Sequence, residues 1–313
     1  MNPSDLKYCP CTLAEGFNTY SPSALRNMFF GKKVSHVLDF DPPDVSEEVA
    51  EKFRQNSKTI SISGAQFKQS LVLDKNKLRL TQPGESGQYI LKPVPIRPPF
   101  GKPEELPANE HVTMQIATQV YDINTAECAL IFFRNGEPAY ITKRFDYNVE
   151  GLKIAQEDFA SLSGFARGKD GEEYKNQGSY EDIARTMKSH VGAYALEAEK
   201  YYERIVFNYL FNNGDAHLKN FSLSQTPSGD YVLSPAYDMI DTRIHITSDS
   251  FFALRDGLFS GDYATESFKV LGFYAYDDFY EFGRKISLME SRITKILDKY
   301  RTESKETSDL IRR

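Results

Sequence analysis

Asp215 and Asn220 bracket the run Gly214-Asp215-Ala216-His217-Leu218-Lys219-Asn220, and Asp238 follows 18 residues beyond Asn220 in Pro235-Ala236-Tyr237-Asp238. Asn220 and Asp238 offer the oxygen donors that a hard divalent cation takes. Asp215 is an acceptor at neutral pH, as a base beside a hydroxyl must be. Upstream, Lys92 precedes Glu110 by 18 residues, and a lysine steadied by a glutamate is a device for offsetting phosphate charge. Together these types fit transfer of a phosphoryl group from a nucleotide to a hydroxyl. Each has a plainer reading when taken alone. Asp215 after Asn212-Asn213-Gly214 could be a turn residue, His217 a hydrogen-bonded structural histidine, and Lys219 a solvated loop charge.

The elements expected around these residues place each of them at an element boundary. Ser21-Pro22 is a cap and first-turn proline for a helix that Gly31 stops. Asp44 with Glu47 reads as a capping box opening a helix through Val45, Val49 and Phe53. The period then shortens to 2: Ile60 and Ile62 alternate with Thr59, Ser61 and Ser63. Leu71, Leu73, Leu78 and Leu80 flank a polar turn at 74–77, and Tyr89 to Lys92 is a further strand. A proline-rich loop leads to a helix from about Asn109 to Val120. Asn135-Gly136 between two apolar runs predicts a hairpin. Ser179 with Asp182 caps one later helix, and Ala195 to Phe211 carries a wide apolar face ending at Asn212-Asn213-Gly214. A short hairpin turns at 226–230, and the remainder reads mostly as helix, with the aromatic stretch 268–282 expected in the core.

The fold class is therefore α+β, with a strand-rich first half and a helical second half. The order of helix, Asp-x4-Asn loop, short hairpin and Asp matches the catalytic half of the protein-kinase fold. The Lys-to-Glu interval matches its other half. On that plan residues 1–57 are a short helical extension, 58–147 an N-lobe and 148–313 a helical C-lobe. Ser61-Ile62-Ser63-Gly64-Ala65-Gln66-Phe67-Lys68 would cover the phosphates, and Lys143-Arg144-Phe145-Asp146 would form the hinge beside adenine.

Seven segments occur in an order that resembles the HipA toxin kinase family. They are Ser61 to Lys68, Ile90-Leu91-Lys92, Asn109-Glu110, Arg144-Phe145-Asp146, Gln156-Glu157-Asp158, Asp215 to Ser222, and Tyr237-Asp238. The likeness covers roughly residues 58–300 and is nearest to the shorter HipT-type members, which share a Ser-Ile-Ser-Gly element. The resemblance implies a two-lobed serine/threonine kinase that uses ATP and Mg2+. It casts Asp215 as the catalytic residue and Asn220 and Asp238 as metal ligands, with Lys92 on phosphate and positioned by Glu110. It places Ser63, Gly64, Ala65, Gln66, Phe67 and Lys68 in the ATP loop and Lys143, Arg144 and Phe145 at the hinge. His217, Lys219 and Tyr237 would line the same site, and Ser61 and Ser63 are candidates for autophosphorylation. It also implies a protein substrate, typically an aminoacyl-tRNA synthetase, and a separate DNA-binding antitoxin.

This chain departs from the family in several places. Only about 57 residues precede the loop, so the expectation is a small separate partner in place of the missing N-terminal subdomain. Lys143 stands where a glutamate is usual; compared with eukaryotic kinases, only one glycine marks the loop and Tyr237-Asp238-Met239 replaces Asp-Phe-Gly.

Composition narrows the classes further. The net charge is -6, with 38 basic against 44 acidic residues and no basic run beyond two, which argues against direct nucleic-acid binding. No apolar stretch nears the length of a membrane span, and the start carries no secretory signal. Three cysteines speak against a disulfide framework and for a reducing, cytoplasmic setting, and Cys9-Pro10-Cys11 lacks two further zinc ligands nearby. Two other functions stay open on the residues alone. A metal-dependent phosphoesterase would need more than the five histidines present, of which His111 and His190 are expected within helices. A kinase-shaped binding module would bind nucleotide without transfer.

Overall fold

The structure, a computed structural model, describes residues 3–43, 66–96, 98–148 and 151–312. The helix expected after Asp44, the strand expected at 59–63, and the candidates Ser61, Ser63, Gly64 and Ala65 lie outside the described residues.

Helix α1 (Pro22–Phe29) begins as its sequence dictates: the Ser21 side chain accepts the N–H of Ala24, and Pro22 occupies the first turn. It ends one residue earlier than Gly31 alone predicts, because Phe30 already takes a left-handed conformation with φ 53°. Strands β1 (Gln69–Asp74) and β2 (Lys77–Leu80) form the predicted hairpin, pairing Asp74 with Lys77 at the turn. Next come β3 (Tyr89–Pro93), helix α2 (Leu106–Gln119), and the hairpin of β4 (Cys128–Phe132) and β5 (Pro138–Lys143). Pro107 in the first turn lets α2 begin three residues before the expected Asn109. The five strands make one antiparallel sheet in the order β2-β1-β3-β5-β4, with Lys92 opposite Tyr140 on the central strands.

Residues 3–43 pack on one face of this sheet. Cys9, Tyr20, Met28, Phe29, Val34 and Leu38 pack with Leu71, Tyr89, Leu91, Ile131 and Ile141 in one buried cluster. The Tyr89 hydroxyl donates to the Met28 carbonyl, and Leu38 N–H to Phe132 O. Burying a side chain the size of Phe29 is worth roughly 1.5–3 kcal/mol, so the covered sheet face leans on this segment. The other face carries α2, whose Met114, Ile116 and Ala117 meet Cys128, Tyr140 and residues of the second half.

The second half is helical around a small sheet. Strand β6 (Gln156–Asp158) leads into short helices α3 (Phe159–Leu162) and α4 (Arg167–Asp170) and a 3-10 turn, Glu172–Asn176. Helix α5 (Tyr180–His190) starts with the predicted capping box, Ser179 with Asp182. Its last residue is His190, so that histidine sits at the helix end rather than mid-helix. Helix α6 (Tyr194–Leu210) spans the core. Strands β7 (Ser222–Gln225) and β8 (Tyr231–Leu233) complete the sheet β6-β7-β8. Helices α7 (Glu266–Leu271), α8 (Tyr276–Lys285), α9 (Glu290–Thr302) and α10 (Ser304–Ile311) close the chain. The largest cluster joins Phe159, Tyr180, Tyr201, Tyr202, Phe221 and Phe282. The stretch 268–282 divides: Phe279 and Phe282 are core, but Val270 is 81% exposed and Phe273 50%. A one-sided helix must present its other residues to solvent.

Leu310 of the last helix packs with Met114 and Ala117 of α2, and Tyr121 stacks on Tyr300 at 4.3 Å. These contacts tie the two halves together behind the cleft. Among the described residues no helix is long and apolar enough to cross a membrane. Cys9, Cys11 and Cys128 are free and buried.

Candidate active site

Strand β3 delivers Lys92 from the centre of the first sheet, and α2 sets Glu110 behind it, in the second turn of that helix. The Lys92 ammonium lies 2.5 Å from Glu110 Oε1 and 2.6 Å from Asp238 Oδ1. The Lys92 and Glu110 side chains are about 4% and 3% exposed, so this is a buried ion network reaching from one half of the chain to the other. Burial alone would lower the Lys92 pKa; Asp238 and Glu110 outweigh it and hold it above the ordinary value. Burial likewise resists ionisation of Asp238, yet Lys68 and Lys92 keep its carboxyl well below the usual range. Burial moves Glu110 the other way, upward, against the pull of Lys92.

Asp238 holds a left-handed backbone, φ 55°, a conformation that aspartate tolerates better than most residues. Asn213 Nδ2 reaches the Asp238 carbonyl at 3.5 Å, and Lys68 Nζ its Oδ2 at 3.4 Å. This joins Lys68, the last residue of the segment expected to cover the phosphates, to the same carboxylate.

The Asp215 loop follows α6 directly. Asn212 is left-handed at φ 51°, Thr242 Oγ1 accepts the Gly214 N–H, and the Thr242 N–H returns to Asn212 O. Gly214 is required for space: a Cβ there would stand 2.2 Å from the Ser250 carbonyl oxygen. Asp215 Oδ1 lies 3.9 Å from Lys175 Nζ and 4.0 Å from His217 Nε2. His217 is 4% exposed, and burial pushes its pKa down to about 4, so the imidazole is neutral at pH 7. The readings of His217 as a structural residue and as a wall of the site are therefore compatible.

A cleft of about 490 Å3 runs between these groups. Of the residues expected at the site, it is lined by Lys68, Lys92, Lys143, Arg144, Phe145, His217, Lys219, Tyr237 and Asp238. Glu110 stands behind Lys92, while Asp215 touches the cleft through its neighbours Lys175 and His217. Gln66 is buried, and Phe67 is half-buried and outside the lining.

The hinge differs in detail from the expectation. The Lys143 amine turns away to the Asn27 carbonyl at 2.8 Å and lies over the Phe30 ring. The Lys143 and Arg144 N–H groups already donate to Glu127 O and Gln88 O, so neither is available to a purine. Arg144 makes a two-pronged bond to Asp146, at 2.9 and 2.6 Å. Lys219 is drawn to Asp158 at 2.5 Å, and the Tyr237 hydroxyl donates to Lys219 O at 2.9 Å. The Phe145 and Tyr237 rings lie 5.5 Å apart across the cleft wall.

Asp146, of the expected hinge, also lines it, and six lining residues carry no role in the sequence reading: Ile90, Thr142, Gln156, Glu157, Asp158 and Lys175. Four of them belong to segments already noted for their order, 156–158 and Ile90 beside Lys92. Lys175 has no such signal.

The donor set fits a hard cation. Asn220 is 7% exposed and its Oδ1 is buried with no hydrogen-bond partner among the described residues. A buried amide oxygen left without a partner is costly, and a cation would satisfy it. Among the described residues no three His, Cys, Asp or Glu side chains group closely enough to hold a metal by themselves. Asn220 and Asp238 would thus hold Mg2+ with nucleotide phosphates completing its shell, as is usual for that ion.

The HipA-like C-terminal domain profile matches residues 60–307. A Haemophilus influenzae protein named "Putative kinase" is 28% identical over 299 residues, covering 92% of this chain and 84% of its own length. The serine/threonine-protein kinase toxin HipA of Shewanella oneidensis is 28% identical over 202 residues, 59% of this chain. This chain spans only 44% of that toxin's length. Among solved structures, Shewanella oneidensis HipA, in a complex with HipB and operator DNA, superposes with a TM-score of 0.60 at 20% identity. The superposition covers 87% of this chain and 67% of that one, and the fold it shares is the α+β kinase-like one. With its profile match running from the phosphate-loop segment to the last helix, the chain belongs to the HipA-like C-terminal domain family of kinases.

Proposed function

We propose that the chain transfers the γ-phosphoryl group of ATP, with Mg2+, to a serine or threonine hydroxyl of a protein. The observation that carries this reading is Lys92, held at 2.5 and 2.6 Å between Glu110 and Asp238 in a cleft also lined by Lys175 and His217, the ion contacts of Asp215. A buried ammonium fixed by two carboxylates stays charged and immobile, ready for phosphate oxygens at no reorganisation cost. Asp215 accepts the proton of the substrate hydroxyl as its oxygen attacks the γ-phosphorus in line. The new O–P bond forms, the bond to the bridging β–γ oxygen breaks, and ADP leaves with the electron pair. Asn220 and Asp238 hold the cation, which when bound neutralises charge on the phosphates. Phe145 and Ile90 supply the apolar wall for adenine, and Tyr237 braces the loop through the Lys219 carbonyl. The phosphate loop is Ser63 to Lys68, with Lys68 reaching Asp238.

The finer reading follows the family. The Ser61-Ile62-Ser63-Gly64 element supports a place near the HipT-type members, with Ser61 and Ser63 as autophosphorylation sites. Negative charge there would repel nucleotide phosphates. An aminoacyl-tRNA synthetase is the substrate class we favour. A DNA-binding antitoxin is the partner, as HipB and operator DNA accompany the Shewanella protein, and a small second partner completes the N-lobe. The free buried thiols suit a cytoplasmic setting.

Intact and peptide mass spectrometry before and after Mg-ATP tests this reading. One or two added phosphates (~80 Da each) on Ser61 or Ser63, absent from Asp215→Ala, are expected. Nucleotide binding with no ADP formed, in buffer or in cell extract, would instead favour a kinase-shaped binding module.

A further inference from the structure

We propose that Lys175 is a catalytic residue of the transfer step, placing its ammonium against the equatorial oxygens of the γ-phosphoryl group as that group passes to the substrate hydroxyl. This rests on the kinase reading above and adds to it a cation from outside the segments that carry the family resemblance.

The cleft is lined by six lysines and arginines among the described residues, and their partners sort them. Lys68 and Lys92 serve Asp238, Lys143 bonds the Asn27 carbonyl, Arg144 grips Asp146, and Lys219 grips Asp158. Lys175 is the one of these with a described ion contact to Asp215, at 3.9 Å, which sets its ammonium beside the carboxylate that takes the substrate proton. The transferring group spreads negative charge over its three equatorial oxygens close to the attacking hydroxyl, and a fixed cation there is worth more than one in water. Lys92 stands at the opposite end, engaged with Glu110 and Asp238. His217, the other basic side chain near Asp215, is buried and neutral at pH 7 and brings no charge.

The backbone that carries Lys175 is held firmly. In the 3-10 turn Glu172–Asn176, Asn176 Nδ2 donates to Ala253 O at 2.8 Å, and Arg255 N–H donates back to Asn176 O at 2.8 Å. Tyr174 packs against the large core cluster. The Lys175 side chain itself is 20% exposed, so its ammonium reaches the cleft without being sealed from it.

The test compares Lys175→Met and Lys175→Arg with the unaltered chain by ADP production and by binding of ADP alone and of ADP with aluminium fluoride and Mg2+. For Lys175→Met we expect ADP production to fall about 100-fold and the aluminium fluoride complex to weaken by a similar factor, with affinity for ADP alone kept. Lys175→Arg should recover part of both losses. Unchanged ADP binding also certifies that the variant is folded. If the rate falls but the aluminium fluoride complex binds as before, Lys175 acts only by steadying Asp215, and the proposal is overturned. An unchanged rate overturns it as well. If the unaltered chain binds ADP yet forms none from ATP, the kinase reading itself fails, and the Lys175 role goes with it.

Discussion

The two ends of the cleft are built on opposite principles. At the Lys92 end every charge is matched inside the protein: one ammonium lies between two carboxylates, all three groups mostly out of water. At the Asp215 end the ion contacts are long, 3.9 Å to Lys175 and 4.0 Å to His217, and Asn220 Oδ1 and His217 Nδ1 are buried without hydrogen-bond partners among the described residues. The first end is complete before any ligand arrives. On the proposed reading, the second would receive a cation at Asn220 Oδ1 and a substrate hydroxyl at Asp215. A phosphate grip gains from being fixed in advance, whereas the transfer end must admit atoms that change partners during the reaction.

The largest effect is expected at the transfer end. Asp215→Asn keeps the shape of the side chain and removes the base, so transfer should drop by about 10³-fold while nucleotide affinity stays close to normal. Labelled-phosphate transfer and nucleotide titration read the two quantities separately. A parallel loss of both would mean that Asp215 holds nucleotide, and the contrast between the two ends would dissolve.

At the grip, the expected effect is on stability as well as activity. Lys92→Met leaves Glu110 and Asp238 without their shared ammonium and should cost roughly 3–5 kcal/mol in a denaturant melt. The sign with pH is specific. A buried carboxyl such as Glu110 has a folded pKa above its unfolded one, so the variant should be least stable at high pH and recover as pH falls and the group takes a proton. Adding Glu110→Gln should restore much of the loss. A Lys92→Met chain as stable as the parent at all pH values would show that the network carries no net charge strain.

How far the sequence discloses all this depends on the kind of contact. Lys92 and Glu110 are legible because each sits on a regular element, and Asp215, Asn220 and Asp238 because each follows one within a few residues, where spacing still translates into position. The hairpin at Asn135-Gly136 and the cap at Ser179 are legible for the same local reason. Lys175 is not, because it rides on an irregular turn held by bonds to residues about 80 positions away. Nor is the role of residues 3–43: their side chains look like those of any short helix and loop, and only the sheet they cover gives them meaning. The hinge amides fail for a third reason. Whether a backbone N–H is free depends on its neighbour strand, and here Gln88 O and Glu127 O have taken two of them.

Away from both ends, the scaffold supplies a control. His111 lies on α2, fully buried, with its Nε2 bonded to the Cys11 carbonyl at 2.9 Å, and burial pushes its pKa down to about 4. Between about pH 6.5 and 4 the unfolded chain binds a proton there that the folded one refuses, so stability falls as pH falls across that window, by ~3 kcal/mol at most. Melts of His111→Gln across the window should show a shallower slope with activity at pH 7 little changed. An unaltered slope would show that the acid sensitivity lies in groups other than His111.

The smallest effect sharpens the comparison most, because Lys219 belongs to the transfer loop but is paired like the grip. Its ammonium lies 2.5 Å from Asp158, yet the two side chains are 41% and 21% exposed, and such pairs typically contribute under about 1 kcal/mol. Asp158 also caps α3 by accepting the Ser161 N–H, so it keeps its place when the lysine is removed. Lys219→Ala should therefore cost under about 1 kcal/mol of stability and weaken ATP by less than about tenfold. Isothermal titration of ATP and of ADP into this variant separates two cases. A loss confined to ATP and larger than tenfold would mean that the γ-phosphate pulls Lys219 off Asp158, making it a moving cation of the transfer end. Equal small losses for both nucleotides would leave it as an anchor of the loop, held to β6 and to Tyr237 whichever nucleotide is bound.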